Sequence, residues 1–124
     1  MLLFKKRDYW QLIIETTGAS QAYTIEINDA EPCSVRFDWG DGTIETFTTN
    51  GIKSHTYDDA GRYALRITGT MTTGNIRQDS TGSYANATKV KATSAIKGIT
   101  GWRNFFETFR NTRIESVPVD TFAR

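Results

Sequence analysis

Four aspartates sit around two turns: Asp38 and Asp41 in Asp38-Trp39-Gly40-Asp41-Gly42, and Asp58-Asp59 ahead of Ala60-Gly61. Clustered turn carboxylates are what a hard cation such as calcium needs. The same residues suit simple turns, because Asp41-Gly42 supplies the positive φ of a tight hairpin and Asp58 and Asp59 shape the next loop. No D-x-D-x-D-G series is present, which favours the structural role. Asp38, Asp41, Asp58 and Asp59 remain the calcium candidates, and the expectation is no metal and no cofactor.

His55 has the chemistry of a general base, yet no Ser or Cys stands in a nucleophile elbow, and G-x-S-x-G is absent. It reads as a hydrogen-bonded residue of a strand. Cys33 is the single cysteine, so it has no intrachain disulfide partner. It falls at an inward position and reads as a small core hydrophobe. Glu107 and Glu115 have no partner at a spacing that would define a glycosidase pair. The expectation is a chain with no catalytic residues. Trp10, Trp39 and Trp102 have rings that stack on sugars. Trp10 is in phase with Leu12 and Ile14, and Trp39 with Val35 and Phe37, so both read as core. Trp102 is the better surface candidate. With Phe105, Phe106 and Phe109 it is expected to form a protein–protein contact or to pack beneath the rest of the chain.

The elements that must position these groups are mostly strands. The chain has 124 residues, with 19 Thr, 11 Ile and 4 Val against 4 Leu, a bias toward stiff side chains that suit a pleated surface. Its length fits one ordinary domain, or a small domain plus part of a second. Net charge is +1, without the basic excess of a nucleic-acid binder, and no apolar run approaches a membrane span. Residues 1–72 carry seven basic and ten acidic residues, and 73–124 carry eight and four. That sign change suggests two units or head-to-tail association. Met1-Leu2-Leu3-Phe4-Lys5-Lys6-Arg7 reverses the order of a secretory signal, so maturation in the cytoplasm is expected. Lys5-Lys6-Arg7 reads as a solvated terminus or as an arm toward an acidic neighbour.

Alternation predicts strands over 9–16, 22–28, 33–39, 43–48, 52–57 and 62–68, separated by Asp-Gly, Asn-Gly and similar turns. Short strands at this spacing are the pattern of a β-sandwich. From Gly69 to about Ala87 the pattern dissolves into Thr, Gly, Ser and Asn, which predicts a loop or linker. Residues 88–93 read as a short strand. Trp102, Phe105, Phe106 and Phe109 recur at helical spacing, which predicts an amphipathic helix over 101–110.

Two resemblances emerge from these segments. Val35-Arg36-Phe37-Asp38-Trp39-Gly40-Asp41-Gly42, then His55-Thr56-Tyr57, then Gly61-Arg62-Tyr63-Ala64-Leu65-Arg66-Ile67 resemble a PKD domain in order and spacing. This implies a mainly β, immunoglobulin-like (PKD-type) β-sandwich over 1–72. Trp39, Gly40, Asp41, Gly42, His55, Tyr57, Gly61 and Tyr63 are its motif residues. Trp102-Arg103-Asn104-Phe105-Phe106-Glu107-Thr108-Phe109, followed by Ile114-Glu115-Ser116-Val117-Pro118 and Thr121-Phe122, is similar to the opening of a BspA-like leucine-rich repeat, with Ile114 in place of Leu. Residues 73–124 are accordingly expected to be a linker and a partial BspA-like repeat or interaction segment, a short α/β C-terminal extension in which Phe122 joins the candidate contact.

A PKD-like sandwich joined to BspA-like repeats resembles phage structural proteins and bacterial surface proteins. The expectation is a non-enzymatic phage virion protein, a capsid decoration, tail or fibre component, assembled in the host cytoplasm. Its partners would be other virion proteins in a homo- or hetero-oligomer, with no nucleic acid and no membrane. The second reading is a glycan-binding adhesin module at a bacterial surface.

Overall fold

The computed structural model describes residues 8–30, 32–79, 84–102, 108–110, 112 and 114. Six strands fall where alternation predicts them: β1 (Trp10–Thr16), β2 (Gln21–Asn28), β3 (Ser34–Asp38), β4 (Ile44–Phe47), β5 (Gly51–Tyr57) and β6 (Gly61–Gln78). A one-turn helix α1 (Tyr84–Ala87) and the strands β7 (Val90–Thr93) and β8 (Ile99–Trp102) follow. The molecule is mainly β, an immunoglobulin-like sandwich. No helix among the described residues is long and apolar enough to cross a membrane.

One layer runs β4-β3-β6-β1-β7, and in the other β2 lies between β5 and the far end of β6. Alternate residues of each strand face inward, which follows from the two-residue period of a pleated strand. Trp10, Leu12 and Ile14 of β1 meet Tyr23, Ile25 and Ile27 of β2, with Val35, Phe37, Leu65, Ile67 and Ile76 between them, all essentially buried. Each such side chain contributes about 1.5–3 kcal/mol on burial, so this inner stripe is what holds the layers together.

β6 corrects the sequence reading. The segment expected to be loop from Gly69 continues as strand to Gln78, and β6 passes residue 72 without a break. Residues 61–67 pair with β1 and residues 66–70 with β3, while Asn75–Gln78 cross over and pair antiparallel with β2. Gly74 permits this passage, because a Cβ there would lie 2.7 Å from the Cα of Asp29. β7 pairs with β1, as Leu12↔Thr93 and Ile13↔Ala92, so residues 90–93 complete the same sheet as the first strand.

The expected helix over 101–110 is corrected at its two ends, residues 103–107 lying outside the described residues. Trp102 ends β8, which runs parallel to β6, and Thr108–Arg110 is a turn. Phe105 and Phe106 of that expected helix, and Phe122, lie outside the described residues, as do Glu107 and Glu115. The aromatic spacing of this segment is answered by a tertiary contact. Trp102 and Phe109 both meet Trp10 edge-on, with ring centroids 5.5 and 6.1 Å away.

Candidate functional site

The motif residues converge where the β3–β4 hairpin, β5 and the start of β6 come together. Asp41 and Gly42 form the hairpin turn, with Gly42 at φ +96°. The Asp41 Oδ1 accepts the Thr43 N–H at 3.1 Å, and the Asp38 Oδ1 accepts the Gly40 N–H at 3.1 Å. Gly40 lies against β6, where a Cβ would sit 2.5 Å from the Ala64 carbonyl oxygen. These bonds close the turn from within, as Asx geometry does at tight turns.

A ladder of rings runs from that turn across the sheet edge. His55 stacks on Trp39 with centroids 4.9 Å apart, and meets Tyr57 edge-on at 4.8 Å. Tyr57 stacks on Tyr63 at 4.2 Å. Each polar tip has a partner. The Tyr57 hydroxyl donates to the Trp39 carbonyl at 2.8 Å, Trp39 Nε1 donates to Glu45 at 2.8 Å, and the Tyr63 hydroxyl donates to the Asp59 carbonyl at 2.7 Å. Burial pushes the Tyr57 phenol well up, so it stays a neutral donor.

His55 Nε2 lies 2.7 Å from Asp41 Oδ2, with the two side chains 12% and 22% exposed. Partial desolvation acts to raise the Asp41 carboxyl, but the bonds from His55 and from the Thr43 N–H outweigh it and hold the group below the usual carboxylate range. This pair ties the hairpin turn to β5. It resembles the carboxylate–imidazole half of a catalytic triad, yet its imidazole face is covered by Trp39 on one side and its edge by Tyr57. The arrangement locks strands together.

Of the calcium candidates, the carboxylates of Asp38 and Asp41 serve the turn, while Asp58 and Asp59 are exposed. Asp38 and Asp41 cap turn amides, and the backbone carbonyls of Asp58 and Asp59 accept the Ser20 N–H and the Thr16 hydroxyl. Among the described residues no three His, Cys, Asp or Glu side chains gather as metal ligands would. Cys33 is buried at 6% exposure, as its phase predicts. Of the candidate contact aromatics, Trp102 and Phe109 are brought together on Trp10, packed against the core.

Sequence reading missed the polar groups that weave the later residues into the sandwich. Asn86 pairs with both backbone groups of Thr24: its Oδ1 accepts the N–H and its Nδ2 donates to the carbonyl, each at 2.8 Å. Its carboxamide thus takes the place of a neighbouring strand beside β2, beyond the last β6 pair at Ile25↔Gln78. A second network is fully buried. The Tyr23 hydroxyl donates to Gln78 at 2.7 Å, Gln78 donates to the Thr108 carbonyl at 2.9 Å, and the Thr108 hydroxyl donates to the Ile76 carbonyl at 3.0 Å. Buried polar groups with partners like these stabilise, whereas unpartnered ones cost. No local sequence signal marks Asn86 or Thr108, since their partners lie 62 and 32 residues away.

Comparison with known proteins agrees with this geometry. A family model described as PKD domain matches residues 14–83, more than half of the chain, and spans the whole ring ladder. No curated protein and no solved structure matches. The hairpin turn, the ring ladder and the family match together show that the chain belongs to the PKD domain family, an immunoglobulin-like sandwich of the protein-interaction and adhesion type.

Proposed function

We propose that this chain is a non-enzymatic structural component of a phage virion, in which the PKD sandwich serves assembly and display as a capsid decoration, tail or fibre part. The observation that carries the reading is where unused binding capacity lies. The motif side chains with catalytic chemistry are engaged inside the fold, whereas Ile44 and Ile52 are 50% and 44% exposed, on β4 and β5. Among the described residues β4 pairs only with β3, and β5 only with β2, so each isoleucine sits on a sheet edge. Edge strands with apolar side chains favour strand-to-strand association with a neighbour. The opposite charge of residues 1–72 and 73–124 supports ordered contact between copies or with other virion proteins. In this proposal the BspA-like stretch begins at Trp102 and continues to Phe122, and assembly takes place in a host cytoplasm.

The test is the solution mass of the purified chain by light scattering at two concentrations, repeated with Ile44→Lys and Ile52→Lys. A defined oligomer that the lysine variants dissociate supports the reading. A monomer that captures no virion component removes it.

A second reading, a glycan-binding module of a bacterial surface protein, rests on a separate observation. A depression of about 330 Å³ is lined by Asp38, Gly40, Gly42, Ile44, Ala64 and Arg66. A carboxylate and a guanidinium beside an apolar side chain match the hydroxyls and the C–H face of a pyranose. A glycan array on which Arg66→Ala abolishes a saturable signal supports it, and an array without hits excludes it.

A further inference from the structure

Asn50 and Gly51 connect β4 to β5, and they are the one Asn-Gly pair in the sequence. An asparagine followed by glycine is the pair whose side-chain amide is most open to attack by the next backbone nitrogen, because glycine has no Cβ to obstruct the approach. The fold restrains both reacting groups. Asn50 Oδ1 accepts the Asp29 N–H at 3.0 Å, and Asn50 Nδ2 donates to the Asp29 carbonyl. Gly51 is registered opposite Ile27 in the β2–β5 ladder. Lys53 Nζ adds a bond to the Asn50 carbonyl at 3.2 Å. Asn50 is nevertheless exposed, so water and base reach it.

We propose that Asn50-Gly51 is a deamidation site that the native fold holds closed, and whose conversion loosens the β5 edge. In the reaction the Gly51 nitrogen gives its proton to solvent base and bonds to Asn50 Cγ. The Cγ–Nδ2 bond breaks, and Nδ2 takes up a proton and departs as ammonia. Water then opens the resulting succinimide at one of its two carbonyls, leaving aspartate or isoaspartate. No oxidant or cofactor takes part. The attack requires Cγ to swing toward the Gly51 nitrogen, which breaks the carboxamide's bonds to Asp29 and lifts Gly51 from its place opposite Ile27. The rate therefore reports how often this connection and the start of the β2–β5 ladder open.

The product cannot restore what was lost. A carboxylate oxygen replaces Nδ2, so an acceptor faces the Asp29 carbonyl where a donor stood. In the isoaspartate form the main chain gains a methylene just before β5. Either product adds a negative charge beside Asp29 and detaches the β4–β5 connection from the β2–β3 corner.

The experiment incubates the full chain in mildly alkaline buffer, native and in urea, and follows the tryptic peptide 37–53, beside the other asparagine-containing peptides, for the gain of one mass unit. Conversion slower by roughly tenfold or more in the native chain, with Asn50 the first asparagine to convert in urea, supports the proposal. Equal or faster conversion in the native chain overturns it. A second arm compares Asn50→Asp with the wild type by amide hydrogen exchange. Faster exchange confined to residues 51–57 and the adjoining part of β2 supports the loosening, and unchanged exchange there refutes it.

Discussion

Replacing Asn86 by alanine tests whether the residues after β6 belong to the same cooperative unit as the strands before it. The substitution removes two hydrogen bonds of 2.8 Å and leaves the N–H and carbonyl of the partly buried Thr24 without them. Each such bond contributes about 1 kcal/mol net, and a stranded backbone group adds to the loss, so the expected cost is about 2–3 kcal/mol. For a chain of this size that lowers the melting temperature by roughly 6–15 °C. Asn86→Asp is the sharper variant. It keeps the Oδ1 acceptor for the Thr24 N–H but sets a second acceptor against the Thr24 carbonyl, so it should lose at least as much as alanine despite its near-identical shape. The assay is urea unfolding followed by both tryptophan fluorescence and far-ultraviolet circular dichroism. One shared transition, shifted by these amounts, is expected. A loss below about 0.5 kcal/mol, or two separate transitions with only one shifted, would refute the argument.

Three further outcomes follow from the geometry. Gly40→Ala places a methyl 2.5 Å from the Ala64 carbonyl at a φ of +91°, and should cost about 2 kcal/mol or more in chemical denaturation. Gln78→Leu leaves the Tyr23 hydroxyl and the Thr108 carbonyl unpartnered and should cost about 2–3 kcal/mol; paired with Tyr23→Phe in a double-mutant cycle, it should show non-additivity. Asp41 has its carboxyl held below the ordinary value, so its contribution is present above the unfolded carboxylate range and is lost as pH falls through the folded value. Stability measured across acid pH should therefore fall less steeply in Asp41→Asn than in the wild type, and parallel curves would count against the His55–Asp41 tie.

The first six strands are legible in the sequence because each alternates apolar and polar residues over its length, as Tyr23, Ile25 and Ile27 do against Thr24 and Glu26. The motif residues are legible because turn chemistry forces glycines and aspartates into fixed places, so the ring ladder is found where Trp39, His55, Tyr57 and Tyr63 stand. The far half of β6 is not legible. Its inward residues include Asn75 and Gln78, whose burial depends on Asn28, Tyr23 and Thr108, far away along the chain. A polarity pattern cannot distinguish such residues from a solvated loop. Trp102 fails for a related reason: its spacing to Phe109 fits a helix face, but both rings are placed by a common contact with Trp10.

The strand that opens the sheet also sets when the sheet can be completed. β1 pairs with residues 61–67 on one side and with Val90–Thr93 on the other, and the Trp10 indole donates to Thr93 across 83 positions of sequence. Large stretches of chain must close into loops before either neighbour meets it, which makes folding slow relative to chains built from local contacts. During synthesis β2 soon follows to face Trp10, Leu12 and Ile14, but no strand that pairs with either edge of β1 exists until β6 is made. β1 then waits as an apolar ribbon with both edges open, and its capture by β6 and later β7 is the step at which aggregation competes with the native fold.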